Sequence, residues 1–360
     1  MATPLPLHDL HVALGARFGE TDGRLLPLHY GDPEPEHAAV RDHVGLADRS
    51  ERGKVEVTGR DRVAFLQGML SNDVKALQPG QGCRTAFLDA HGRIVSLLFV
   101  HARADRLVLE MDRRLVEPTL AALDRFLIAE RVEFADVSEA SGILTLAGPA
   151  ARGTVEKIAE RAIPELALHQ HTRLGADGLE LTVARVEETG EESLDLWVGA
   201  ERLPRVWERA LAAGARPVGR EAWNVLRVEA GIVWHGADVD ASTLVMEAPL
   251  ESAYSLSKGC YIGQEVIARV TYRGHVNRKI VGCRFPDARI PAPGALIRVG
   301  DAEVGRITSP VLSPRLGGLA LGFLRREHWT PGTWVEVAAA DGTLTGEVAE
   351  LPFYRRGAPA

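Results

Sequence analysis

The residues whose types and spacing could do chemistry stand together in one octapeptide, Lys258-Gly259-Cys260-Tyr261-Ile262-Gly263-Gln264-Glu265. Gly263 can open a helix from Gln264 onward in which Val266, Ile267 and Val270 face inward. Cys260 is then expected just ahead of a helix N-terminus and beside the Lys258 ammonium. Both surroundings favour the thiolate, the reactive form of the thiol. Flanking glycines let the chain turn sharply and present the sulfur. The same residues also suit a small buried cysteine in a tight turn, so spacing alone leaves the reactive and the structural reading open. Between Tyr254 and Arg289 seven basic side chains face only Glu265 and Asp287, a local +5 on a chain whose net charge is −7. Such a stretch over residues 258–289 can receive an anionic ligand tail, dock RNA or protein, or form a solvated face of arginine-rich strands.

The chain that must position these residues has 360 of them, enough for more than one domain. Its 46% hydrophobic and 25% charged residues are those of an ordinary globular protein. The acidic balance argues against a surface devoted to nucleic acid, which is not expected as a main ligand. No apolar run approaches the roughly 18 residues that span a bilayer. The start, MATPLPLHDL, lacks the basic and apolar regions of a secretory signal, so a cytoplasmic protein is expected. Three cysteines without a C-x-x-C pair exclude a disulfide scaffold and a cysteine-rich zinc module. Only five of the 42 basic residues are lysines, which draws notice to a lysine inside a motif. The first 50 residues read as loop-rich. Their histidines, His8, His11, His29, His37 and His43, lack helical ligand spacing and read as solvated rather than as metal ligands.

Periodicity supplies the elements. Lys54–Thr58 alternates as a strand, and Asp61 can cap a helix carrying Val63, Leu66, Met69 and Leu70. Ile94–Val100 reads as a buried strand with Arg106–Met111 as its antiparallel neighbour. Pro118 suits the first turn of a helix bearing Leu120, Leu123, Phe126 and Leu127. Strands at Val132–Val137 and Ile143–Ala147 precede a helix after Gly148-Pro149, and further helices are expected over Ala200–Ala213 and from Gly219. Past residue 276, six short strands punctuated by Pro and Gly predict a small β-barrel. The class is α+β, with a boundary near residues 275–290.

The octapeptide resembles the signature of YgfZ-type folate-binding proteins, relatives of the glycine-cleavage T-protein (aminomethyltransferase) that are implicated in maintaining iron–sulfur enzymes. Further blocks look like those of this superfamily. They include Val44-Gly45-Leu46-Ala47-Asp48-Arg49-Ser50, Ser71-Asn72-Asp73-Val74, Leu226-Arg227-Val228-Glu229-Ala230-Gly231-Ile232 and Gly305-Arg306-Ile307-Thr308-Ser309. The resemblance covers roughly residues 38–353. It implies a ring-like folate-binding body over 1–275, composite of two subdomains, followed by a six-stranded β-barrel over 276–360.

The resemblance also carries site residues. In Gly190-Glu191-Glu192-Ser193-Leu194-Asp195, Asp195 matches the carboxylate that holds the pterin's amino-pyrimidine edge, and Arg227 matches a ligand-binding arginine. The alternatives are a polar residue on a strand for Asp195 and a helix ion pair for Arg227. The main departure is Gly92-Arg93-Ile94-Val95-Ser96-Leu97, where Val95 and Ser96 replace an acidic pair used in aminomethyl transfer. Neither can act as a proton donor near neutral pH. The expectation is therefore a tetrahydrofolate-binding accessory protein serving iron–sulfur client proteins, with Cys260 and Lys258 as a redox or transfer group. An aminomethyltransferase is the first alternative.

Overall fold

Strands that alternate apolar and polar residues dominate the computed structural model, which describes residues 2–176, 178–286, 289–339 and 342–357. They form three open sheets and one closed barrel. The first 50 residues are not loop-rich. They hold strands Thr3–Pro4, Arg17–Thr21, Arg24–His29 and Gly45–Asp48 and helices His8–Ala13 and Pro33–Asp42. Nor are all their histidines solvated. Buried His11 lies 2.9 Å from Asp48 Oδ2 and 2.9 Å from the Tyr30 hydroxyl, and buried His37 lies 2.9 Å from Glu229 Oε1. Buried rings need such partners, and these come from distant segments that local patterning cannot foresee.

A five-stranded antiparallel sheet runs in the order Gly82–Leu88, Ile94–Ala102, Leu107–Met111, Gly53–Thr58, Glu133–Asp136. Helices Arg62–Met69 and Arg113–Asp124 contribute Phe65, Leu66, Val116 and Leu123 to its core. Two local expectations shift. The Asp61 carboxylate accepts the Arg131 N–H at 2.8 Å and does not cap its helix. Pro118 sits inside its helix rather than in the first turn, because the Asp112 carboxylate accepts the Arg114 N–H at 3.1 Å and starts the helix earlier.

A six-stranded sheet follows in the order His171–Ala176, Leu179–Val186, Ser193–Gly199, Ser141–Ala147, Gly45–Asp48, Arg216–Pro217. Helices Ala151–Ala159 and Leu203–Ala212 pack on it through Val155, Ile158, Val206 and the fully buried Trp207. Helix Arg220–Glu229 lies between helix Pro33–Asp42 and the barrel strand Ala302–Ser313. The barrel closes as Arg278–Phe285, Gly317–Arg325, Ala302–Ser313, Leu296–Val299, Trp334–Ala339 and Gly342–Ala349, six strands as the punctuation predicts. A Cβ at Gly305 would stand 1.9 Å from the Phe323 carbonyl oxygen, which is why that block requires glycine. No helix among the described residues is long and apolar enough to cross a membrane.

Candidate functional site

The segment after strand Gly45–Asp48, the face of the five-stranded sheet and the start of helix Arg220–Glu229 enclose a cavity of about 250 Å³. Alternation along Ile94–Ala102 puts Val95, Leu97 and Phe99 on one half-buried face, and Leu97 and Phe99 line the cavity. Against this apolar wall the rest of the lining is rich in guanidinium groups. Arg49 is occupied, with Nε 3.1 Å from Glu51 and Nη1 3.0 Å from Glu188. Arg52 Nε donates to Glu110 at 2.9 Å, and Glu110 also lies 3.3 Å from His101.

Arg84 and Arg220 are different. Neither guanidinium has a hydrogen bond or ion pair with any described residue, although the Arg84 carbonyl accepts the Asn72 side-chain amide at 2.8 Å. Arg84 lies 6.0 Å from the Phe99 ring centre, and Arg220 4.6 Å from that of Trp234. Burial pushes the pKa of both guanidiniums below the usual arginine value. Carboxylates of Glu187 and Glu188 lie near Arg84, and those of Glu51, Asp22 and Asp112 near Arg220, but none is bonded to either guanidinium, so both keep donors that an anion can fill. Sequence reasoning missed Arg84, Arg220 and Glu188. Glu188 adjoins the Gly190-Glu191 block, whereas Arg84 and Arg220 belong to no motif.

The four site residues expected from sequence do not line this cavity. Asp195, in strand Ser193–Gly199, is buried and accepts the Thr145 hydroxyl at 2.6 Å. Burial and then the Glu110 charge drive its carboxyl well above the usual carboxylate range. The Arg227 guanidinium is spent within the protein. It donates to Asp238 at 2.5 Å, the Ser309 hydroxyl at 2.6 Å, Asn224 at 2.9 Å and the Ile232 carbonyl at 3.0 Å. Its ion pair is therefore with Asp238, beyond the end of the helix, and not with a carboxylate of its own helix.

Lys258 is buried, and Nζ donates to the carbonyls of Gln67 at 2.6 Å, Leu70 at 2.6 Å and Asn72 at 2.8 Å. An ammonium has three N–H bonds, and here all three close the end of helix Arg62–Met69, leaving none for a thiolate. The helix after the octapeptide begins at Gln264 as expected, with Gly263 at φ 82°, and Cys260 is exposed. Burial pushes the other two thiols, Cys83 and Cys283, up to about 12. Ser96, beside Val95, is buried and points its hydroxyl at Met111 Sδ, 3.9 Å away. The basic stretch does not form a single patch. Arg278 pairs with Glu247 at 3.1 Å and Lys279 lies over Trp329, whereas Arg269 and Arg273 are exposed on the helix and Asp287 lies outside the described residues.

A second buried network explains two of the sequence blocks. Arg41 donates to Glu229 at 2.5 Å, to the Thr189 carbonyl at 2.8 Å and to Glu191 at 3.4 Å. Tyr354 stacks on Arg41 at 3.7 Å and its hydroxyl donates to Glu191. The Gly190-Glu191 and Leu-Arg-Val-Glu-Ala-Gly blocks thus tie helix Pro33–Asp42, the six-stranded sheet and the chain end behind the barrel into one frame.

With this geometry the chain matches known proteins along its length. Residues 7–258 match the model of the GCVT N-terminal domain, and residues 278–355 that of the glycine cleavage T-protein C-terminal barrel domain. The chain is 31% identical to an aminomethyltransferase of Thermosynechococcus vestitus, covering 98% of this chain and 95% of that protein. To an aminomethyltransferase of Rubrobacter xylanophilus it is 32% identical, covering 98% and 94%. The crystal structure of glycine cleavage system aminomethyltransferase T from Bartonella henselae superposes with a TM-score of 0.91 at 25% identity, covering 99% of both chains.

Proposed function

This chain belongs to the glycine cleavage T-protein family, and we propose that it is a tetrahydrofolate-binding member that keeps the ligand cavity without the acid for aminomethyl transfer. The observation that carries the reading is the cavity wall: the Arg84 and Arg220 guanidiniums make no direct ion pair among the described residues, beside the apolar strand positions Val95, Leu97 and Phe99. Tetrahydrofolate offers a flat ring system for such a wall and glutamyl carboxylates for the guanidiniums. Glu188 is the carboxylate at hand for the amino-pyrimidine edge. Asp195 and Arg227, both bonded within the protein, support the walls as positioning residues.

Aminomethyl transfer needs a group that delivers or accepts a proton at the reacting nitrogen. Val95 cannot, and Ser96 is committed to the opposite face against Met111. We therefore read the protein as YgfZ-type, an accessory protein for iron–sulfur client enzymes, with exposed Cys260 as its redox or transfer group. The full-length likeness to proteins named aminomethyltransferase favours a second reading, transfer itself. Its acid would then come from the carboxylates that line the cavity, Glu188, Glu187, Glu51, Asp22 or Asp112, of which Glu188 and Glu51 are bonded to Arg49. Calorimetric titration with tetrahydrofolate, paired with a turnover assay on an aminomethyl-loaded carrier protein, separates the two. Saturable binding without turnover is expected. Absence of saturable heat removes the folate reading, and turnover installs the second one.

A further inference from the structure

A second cavity, of about 290 Å³, lies between the five- and six-stranded sheets and shares no residue with the first. Its polar lining combines donors that have unfilled bonds with two carboxylates, Glu56 and Glu180, that are bonded elsewhere. Trp197 is 7% exposed, and its Nε1–H has no hydrogen-bond partner. Arg103 Nε is also buried without a partner. The nearby carboxylate of Glu56 is bonded at 2.5 Å to Arg106 instead. Lys54, wholly buried, gives its ammonium to the Ser141 carbonyl at 2.7 Å and the Ser50 carbonyl at 3.3 Å, which leaves one of its three N–H bonds unassigned. The other acidic lining residue, Glu180, is bonded to Arg173 at 3.4 Å.

We propose that this cavity binds the phosphate group of a small phosphorylated metabolite. An indole N–H can only donate, and leaving it unpaired in a buried place costs free energy, so the occupant must present acceptors. Water would satisfy the indole, but no carboxylate among the described residues is bonded to Lys54 or Arg103, and an anion supplies that partner. The donors come from separate elements: strand Gly53–Thr58, the turn after Ile94–Ala102, and strand Ser193–Gly199. Donors that approach from several directions suit a tetrahedral anion, with acceptors on every side, better than a planar carboxylate that engages a single fork. The volume exceeds that of a phosphate alone and leaves room for the rest of a metabolite.

The test uses the full chain, without tetrahydrofolate, so that it does not depend on the central cavity. The Trp197 indole resonance is identified in a ¹H–¹⁵N spectrum by its loss in Trp197→Phe and then followed during titration with inorganic phosphate against chloride at constant ionic strength. A saturable shift with phosphate is expected, with the apparent Kd raised about tenfold in Arg103→Gln, a half-buried site where the change leaves the core intact. A resonance that moves no more with phosphate than with chloride, or moves equally in Arg103→Gln, overturns the site. Tighter binding of succinate than of phosphate overturns the phosphate assignment.

Discussion

Arg227 and Arg84 place the same charged group in two regions of one protein, and only the first is given partners. Between helix Arg220–Glu229 and the barrel, Arg227 has a carboxylate, a hydroxyl, a side-chain amide and a carbonyl as acceptors. On the cavity wall the Arg84 guanidinium lies over the Phe99 ring, 6.0 Å from its centre, and has no acceptor among the described residues. Lys258 and Arg41 belong with Arg227, and Arg220 belongs with Arg84. The difference separates frame from site. A buried cation bonded on every nitrogen from within the protein holds elements together, and one bonded on none has its partner still to come.

The comparison breaks most readily at the frame. Asp238→Ala removes the partner of Arg227 and strands a buried guanidinium, so a loss of about 3–5 kcal/mol in stability is expected, read by chemical denaturation. If the loss is under about 1 kcal/mol, the frame reading of Arg227 fails. The next effect is on the site. Arg84→Gln removes an uncompensated charge, so the folded protein should be no less stable, while tetrahydrofolate affinity falls about 10- to 100-fold by calorimetry. A variant that loses stability and keeps affinity would put Arg84 in the frame as well.

How much of this was legible in the sequence follows the same division. The barrel was readable because Pro and Gly mark each of its turns, and the hairpin of Ile94–Ala102 with Leu107–Met111 because both strands are mostly apolar and only a short turn joins them. Val95 and Ser96 were readable as the absence of an acid. The meander over His171–Gly199 was not, since Arg173, Glu180 and Arg185 break up its apolar pattern. Lys258 stood out by its scarcity, yet its role depends on three carbonyls nearly 190 residues away, which no local spacing reveals. Arg84 is a lone arginine in a strand, and only the missing partner gives it meaning.

Asp195 sharpens the comparison with the smallest effect. It is buried like Arg227 and, having only the Thr145 hydroxyl, under-partnered like Arg84, and it eases the conflict by holding its proton to higher pH than a carboxyl usually does. Its folded pKa is raised above the unfolded value near 3.9, so the folded state binds the proton more tightly. Its contribution to stability is therefore fully present below that value and is lost as pH rises toward the folded pKa. Asp195→Asn keeps the acceptor for Thr145 and removes the titration. The variant should differ from the parent by no more than about 0.5 kcal/mol at acid pH, lose the decline as pH rises, and bind tetrahydrofolate within about threefold of the parent. A drop in affinity as large as that of Arg84→Gln would mean that Asp195 meets the ligand as a carboxylate, and the ligand's own charge would then have supplied what the empty cavity withholds.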